Sequence, residues 1–190
     1  MRHQTLQPLV DLLHQMRTMI ARLDDIDYAM PAPGRTTGGI GGHVRHCLDH
    51  VSALLVGARN GLCAYDRRRR GTEVETSRTA AIDAITEAMI GVLHLDTATL
   101  ESEVFVETQL DPAGAMVITR SSVCREVAFL VSHTIHHHAI VAQMLQARGI
   151  EVAPRFGVAP ATPLDSARGT PLESRPLESG AHVEAMVCAR

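Results

Sequence analysis

The sequence predicts an all-α fold: a four-helix bundle with a small β-hairpin between its third and fourth helices and an extended C-terminal tail. Three observations carry this expectation. Apolar residues recur at three- and four-residue steps in four separate stretches, each of bundle length. Between the third and fourth stretches the pattern switches to alternation, the period of a strand. The 190 residues are 45% hydrophobic and 21% charged, the balance of one packed domain rather than a disordered chain. A chain of this length buries roughly two-thirds of its unfolded surface on folding, so a metal would need a functional reason rather than a structural one.

The first helix is marked by Leu6, Leu9, Val10, Leu13, Met16, Ile20 and Leu23, with Pro8 expected near its start, where proline is tolerated. Pro31 to Gly39 is turn-rich and offers Thr36 or Thr37 as a cap for the second helix. That helix carries Ile40, Val44, Cys47, Leu48, Val51, Leu54, Leu55 and Ala58 and should reach about Leu62. After the arginines at 67–70, read as a solvated connector, Thr76 or Ser77 can cap a third helix with Ile82, Ile85, Met89, Val92 and Leu93 on one stripe, fading near Leu100. Val104, Val106 and Thr108 alternate with polar neighbours, and Met116 to Thr119 is apolar and β-branched, which predicts a hairpin over about 103–120. Its connection, Asp111-Pro112-Ala113-Gly114, puts Asp, Pro and Gly where a type I turn prefers them. From Ser121 or Ser122 a fourth helix runs through Phe129, Leu130, Ile140, Val141 and Met144 to Arg148 and stops at Gly149. Residues 1–164 thus make the predicted domain, with an extended strap from Gly149. Residues 165–190, rich in Pro, Ser and charge and twice reading Pro-Leu-Glu-Ser, are expected to be a disordered or loosely attached tail.

Charge and cysteine usage narrow the function classes. All 18 basic residues are arginine and the net charge is -3, so no broad cationic surface is expected to hold nucleic acid or an anionic membrane. No apolar run approaches the ~18 residues of a membrane span, the first residues lack the core of a secretory signal, and the four cysteines form no CxxC pair. Reduced thiols in the cytoplasm are the corresponding expectation. Cys47 and Cys124 fall on or beside apolar stripes and read as small buried hydrophobes.

Histidine is the chemical signal. Seven of the 11 fall in two clusters, while His3, His14, His94 and His182 have no companions. In Ser132-His133-Thr134-Ile135-His136-His137-His138-Ala139, His133 and His137 lie about 40° apart in helical projection and centre on the apolar stripe, with His136 at its edge and His138 pointing well away. Two buried imidazoles one turn apart leave polar nitrogens to satisfy, and a shared metal ion satisfies both. On the second helix, His43, His46 and His50 lie beside the stripe, where projection favours His43 or His50 as a third ligand. Three histidines leave a position open for water or substrate, the arrangement of a reactive rather than a structural zinc. Asp49, one turn after His46, is placed either to orient an imidazole or to face solvent. Glu126 shares the His133 face about 10 Å away along the axis, too far for the same ion; it reads as a first-turn acid complementing the helix dipole, or, if paired with a buried arginine, as part of a pocket wall.

Ile40-Gly41 followed by His46-Cys47-Leu48-Asp49, together with Ser132 to Ala139, resembles the helix-two and helix-four signatures of the DinB-like (damage-inducible) family of metal-binding four-helix bundles. The likeness spans roughly Leu6 to Arg148 and leaves the hairpin and tail outside. It implies His46, His133 and His137 as the three ligands, with His50 and then His43 as substitutes on the second helix. Zinc or nickel is the ion that imidazole ligation favours. The family includes thiol transferases and isomerases that use mycothiol or bacillithiol. The resemblance therefore implies a metal-dependent thiol transferase or isomerase with a small-molecule substrate, a low-molecular-weight thiol and a homodimeric assembly. A metal-dependent hydrolase and a non-catalytic metal-binding stress-response protein are the alternative readings, since a fold does not fix a function.

Overall fold

The computed structural model describes residues 2–31, 38–67 and 71–163. These are mostly helical with one small sheet. The elements are α1 (Arg2–Ile20), α2 (Asp25–Ala29), α3 (Ile40–Asn60), β1 (Leu62–Ala64), a 3-10 turn (Glu73–Glu75), α4 (Arg78–Leu93), α5 (Thr97–Glu101), β2 (Glu103–Gln109), β3 (Met116–Ser122) and α6 (Val123–Gln146). The four long helices pack in a closed cycle, α1 on α4, α4 on α3, α3 on α6 and α6 on α1.

The long helices bury much of the stripe their sequence spells, although on α4 Leu93 is exposed and Ile82 and Met89 are half-buried. Leu9, Leu13, Met16 and Ile20 of α1, Val44, Cys47, Val51 and Leu54 of α3, Ala81, Ile85 and Val92 of α4, and Val127, Leu130, Val141 and Leu145 of α6 meet in one core. Pro8 sits within α1 rather than at its first turn, on an exposed side of the helix. The caps are local hydrogen bonds: the Ser77 hydroxyl accepts from the Ala80 N–H, and the Ser122 hydroxyl from the Arg125 N–H. Gly39 is the N-cap of α3, Thr36 and Thr37 lying outside the described residues. Gly61, at φ +84°, ends α3 at Asn60, earlier than its apolar pattern suggests. The third helix also stops early. His94 closes α4, and Asp96 then caps the separate helix α5 by accepting from the Thr99 N–H.

The hairpin belongs to a three-stranded sheet in the order β1-β2-β3. β2 and β3 pair antiparallel from Glu103↔Ser122 to Gln109↔Met116, and β1 pairs parallel with β2 through Cys63↔Val106. The Arg67 guanidinium grips both Glu107 oxygens at 2.8 and 2.9 Å, fastening the exit of β1 to β2; Arg68 to Arg70 are outside the described residues. The end of α6 is tied down by Arg148, which donates to the carbonyls of Asp27, Met30 and Pro31. No helix among the described residues is long and apolar enough to cross a membrane.

Residues 150–163 fold back over α6, and Phe156 stacks on His138 with ring centroids 4.3 Å apart and planes 12° from parallel. His138, expected to point away from the core, is instead fully buried, because this strap supplies a second apolar layer that projection of a single helix omits. The predicted tail, 165–190, lies outside the described residues.

Two outcomes follow from the strap. A Cβ on Gly157, at φ +75°, would lie 2.5 Å from the Ala139 backbone nitrogen. Gly157→Ala should therefore cost about 1–3 kcal/mol in urea unfolding. Burial also lowers the His138 pKa from 6.5 to about 4. The unfolded chain takes up this proton near pH 6.5 and the folded chain only near 4, so stability is lost as pH falls across that window, by about 3 kcal/mol. Neither ring nitrogen of His138 has a hydrogen-bond partner among the described residues. His138→Leu should thus be neutral or stabilising at pH 7 and flatten the acid limb of melting temperature against pH. An unchanged limb would show that His138 is not the group responsible.

Candidate metal centre

The seam between α3 and α6 collects five imidazoles. Positions four apart on a helix stack one above the other, so His46 and His50 of α3 face His133 and His137 of α6 as two pairs. Ring centroids lie 4.9 Å apart for His46 and His133, 4.1 Å for His50 and His133, and 4.4 Å for His46 and His50. His46, His50 and His133 form a group whose ligand nitrogens all lie within 4.8 Å of one another. His137 adjoins it, 4.6 Å from both His46 and His133 by ring centroid. Its Nδ1 is 3.0 Å from Nδ1 of His43, so one of these nitrogens carries the proton and the other accepts it.

Chemistry sets which nitrogens can serve a metal. The His50 Nδ1 lies 2.9 Å from the His46 carbonyl oxygen, an acceptor only, so Nδ1 carries the proton and Nε2 keeps its lone pair. His50 is 6% exposed. The His137 pKa is pushed down to about 3, first by burial and then by the neighbouring His133, His43, His136 and His50, leaving a neutral ring at pH 7. Imidazoles from two rigid helices are a fitting donor set for a borderline-soft divalent cation such as zinc or nickel. His136 is exposed, and His138 is turned under the strap.

Beyond the imidazoles stands an aromatic wall. Tyr65, just after β1, lies nearly parallel to His50, 11° off at 5.1 Å, and Phe129 of α6 is 5.4 Å from Tyr65 and 5.6 Å from His133. Both rings also line a cavity of about 400 Å³ bounded by Thr108, Thr119, Ser121, Arg125 and Glu126. Glu126 is fully buried. Its carboxylate accepts from the Tyr65 hydroxyl at 2.8 Å, the Ser121 hydroxyl at 2.6 Å and Arg125 at 2.8 Å. Glu126 is the first-turn acid of α6 that the sequence suggests, and it also lines this cavity, although the arginine it pairs with is exposed rather than buried. Asp49 pairs with Arg45 at 2.5 Å, and Arg45 in turn reaches Glu75 at 2.8 Å, which ties α3 to the 3-10 turn. Cys47 is buried with its thiol pushed up to about 12, an inert hydrophobe rather than a ligand.

No family model matches the chain, and no solved structure matches it. A stretch of 99 residues is 27% identical to FK506-binding protein 5 of Rhizopus delemar, covering 52% of this chain and 26% of that protein's length. Similarity of that extent assigns no family.

Of the triad that the resemblance implies, His46 and His133 fall within the closest group, where His50 rather than His137 completes it. Single alanine variants separate the two arrangements in a zinc titration against a chromophoric chelator. His46→Ala and His133→Ala should each lose stoichiometric binding. His50→Ala should lose it as well, while His137→Ala retains one equivalent. Loss in His137→Ala with retention in His50→Ala would transfer the third ligand to His137.

Proposed function

We propose that this chain is a DinB-like four-helix bundle whose histidine centre holds one zinc or nickel ion and supports metal-dependent transfer or isomerisation of a small-molecule substrate with a low-molecular-weight thiol. The observation that carries the reading is the group His46, His50 and His133, with ligand nitrogens within 4.8 Å and no carboxylate or thiolate among them. Three neutral donors leave the ion its full charge and an open position. Such an ion lowers the pKa of a bound thiol or water enough to supply a nucleophile at neutral pH.

The remaining residues have simpler work. Phe129 and the Tyr65 ring shield one side of the imidazoles, which lowers the local dielectric and strengthens electrostatic interactions there. The cavity beyond that wall is lined by hydroxyls from Thr108, Thr119 and Ser121 and by the Arg125–Glu126 pair, with none of the five imidazoles on its surface.

Cobalt provides the test. Protein loaded with one equivalent of cobalt should develop an intense sulfur-to-metal charge-transfer band when mycothiol, bacillithiol or glutathione is added, and His133→Ala should abolish it. A cobalt-loaded protein that shows no such band with any thiol excludes the thiol reading and leaves a hydrolase or a non-catalytic binding protein.

A further inference from the structure

We infer that Tyr65 and Glu126 are positioning residues of the histidine centre, with Glu126 anchoring the Tyr65 hydroxyl and the Tyr65 ring fixing the plane of His50. This rests on reading the histidines as a metal centre. Its geometric basis stands separately.

The His50 imidazole has two degrees of freedom to lose before its Nε2 can serve a ligand. The hydrogen bond from Nδ1 to the His46 carbonyl holds one edge of the ring. The plane of the ring is set by what stacks on it. Tyr65 stacks on it 11° from parallel at 5.1 Å, and His133 stacks on it 18° from parallel at 4.1 Å, so Tyr65 is the one of the two that is itself anchored from the sheet side. A tyrosine just beyond a three-residue strand would be a poor anchor by itself, but its hydroxyl donates to a carboxylate that is completely buried. Glu126 is fixed by two further donors, Ser121 at the end of β3 and Arg125 in the first turn of α6. Charge-assisted hydrogen bonds of this kind are about twice as strong as neutral ones and demand closer geometry. The path from sheet to imidazole is therefore Ser121 and Arg125 to Glu126, Glu126 to Tyr65, and Tyr65 to His50. It also accounts for a fully buried carboxylate that touches none of the imidazoles.

Tyr65→Phe and Glu126→Gln are close to isosteric and test the chain of contacts with two readouts. The first needs no metal: long-range proton–nitrogen correlation of the ring, assigned by comparison with His50→Ala. Full-length wild-type protein should show His50 as a single tautomer protonated at Nδ1, and both variants should show averaged ring nitrogens while circular dichroism stays unchanged. An unaltered single tautomer in both variants overturns the inference. The second readout is zinc affinity by chelator competition, expected to fall about 10- to 100-fold in each variant. Equal affinity in wild type and variants overturns the inference even if the tautomer changes. Wild-type protein that binds no zinc, yet loses its His50 tautomer in the variants, supports the positioning role and removes the metal reading.

Discussion

The contact of α3 with α6 is the constraint on which the rest depends, because it brings imidazoles from both helices onto one seam. Both helices also contribute to the one hydrophobic core, α3 through Val44, Val51 and Leu54 and α6 through Leu130 and Val141. That packing, rather than any ion, sets the separation of the helices. Each buried polar group left without a partner costs about 1–3 kcal/mol, and the seam answers in pieces: His50 bonds to a carbonyl, and His137 faces His43. Three of these imidazoles, His46, His50 and His133, bring ligand nitrogens within 4.8 Å of one another, close enough to hold a metal ion.

Around the seam the architecture is arranged to hold it still. Arg45 locks the outer face of α3 to the 3-10 turn through Asp49 and Glu75. The small sheet presses Tyr65 against His50, and Glu126 ties that sheet to α6. On the far side of α6 the strap buries His138 under Phe156. The consecutive residues His137 and His138 lie about 100° apart around the helix and so meet different neighbours, and only the first joins the cluster.

Much of the helical framework was legible because its signals are local. The apolar stripes, the caps at Ser77 and Ser122 and the alternation of β2 need only neighbours within a few residues. What escaped was decided at long range. β1 is three residues long and forms by parallel pairing with a strand about forty positions later, for which no local pattern exists. Helices α2 and α5 are too short to show periodicity. His138 read as outward because projection weighs one helix against one core, whereas the strap adds another. On α3 the same method favoured His43 or His50 over His46. That helix packs against both α6 and α4, so its buried arc is wider than one stripe and admits His46 to the group beside His50. Tyr65 left no sequence signal, since nothing near it announces that it will meet His50.

X-ray absorption at the zinc edge of protein reconstituted without an affinity tag tests the central claim most directly. The account predicts one equivalent of zinc with a first sphere of nitrogen and oxygen only at about 2.0–2.1 Å, and multiple scattering that fits three imidazoles. A sulfur scatterer near 2.3 Å, a sphere dominated by carboxylate oxygen, or zinc well below one equivalent after reconstitution would contradict it.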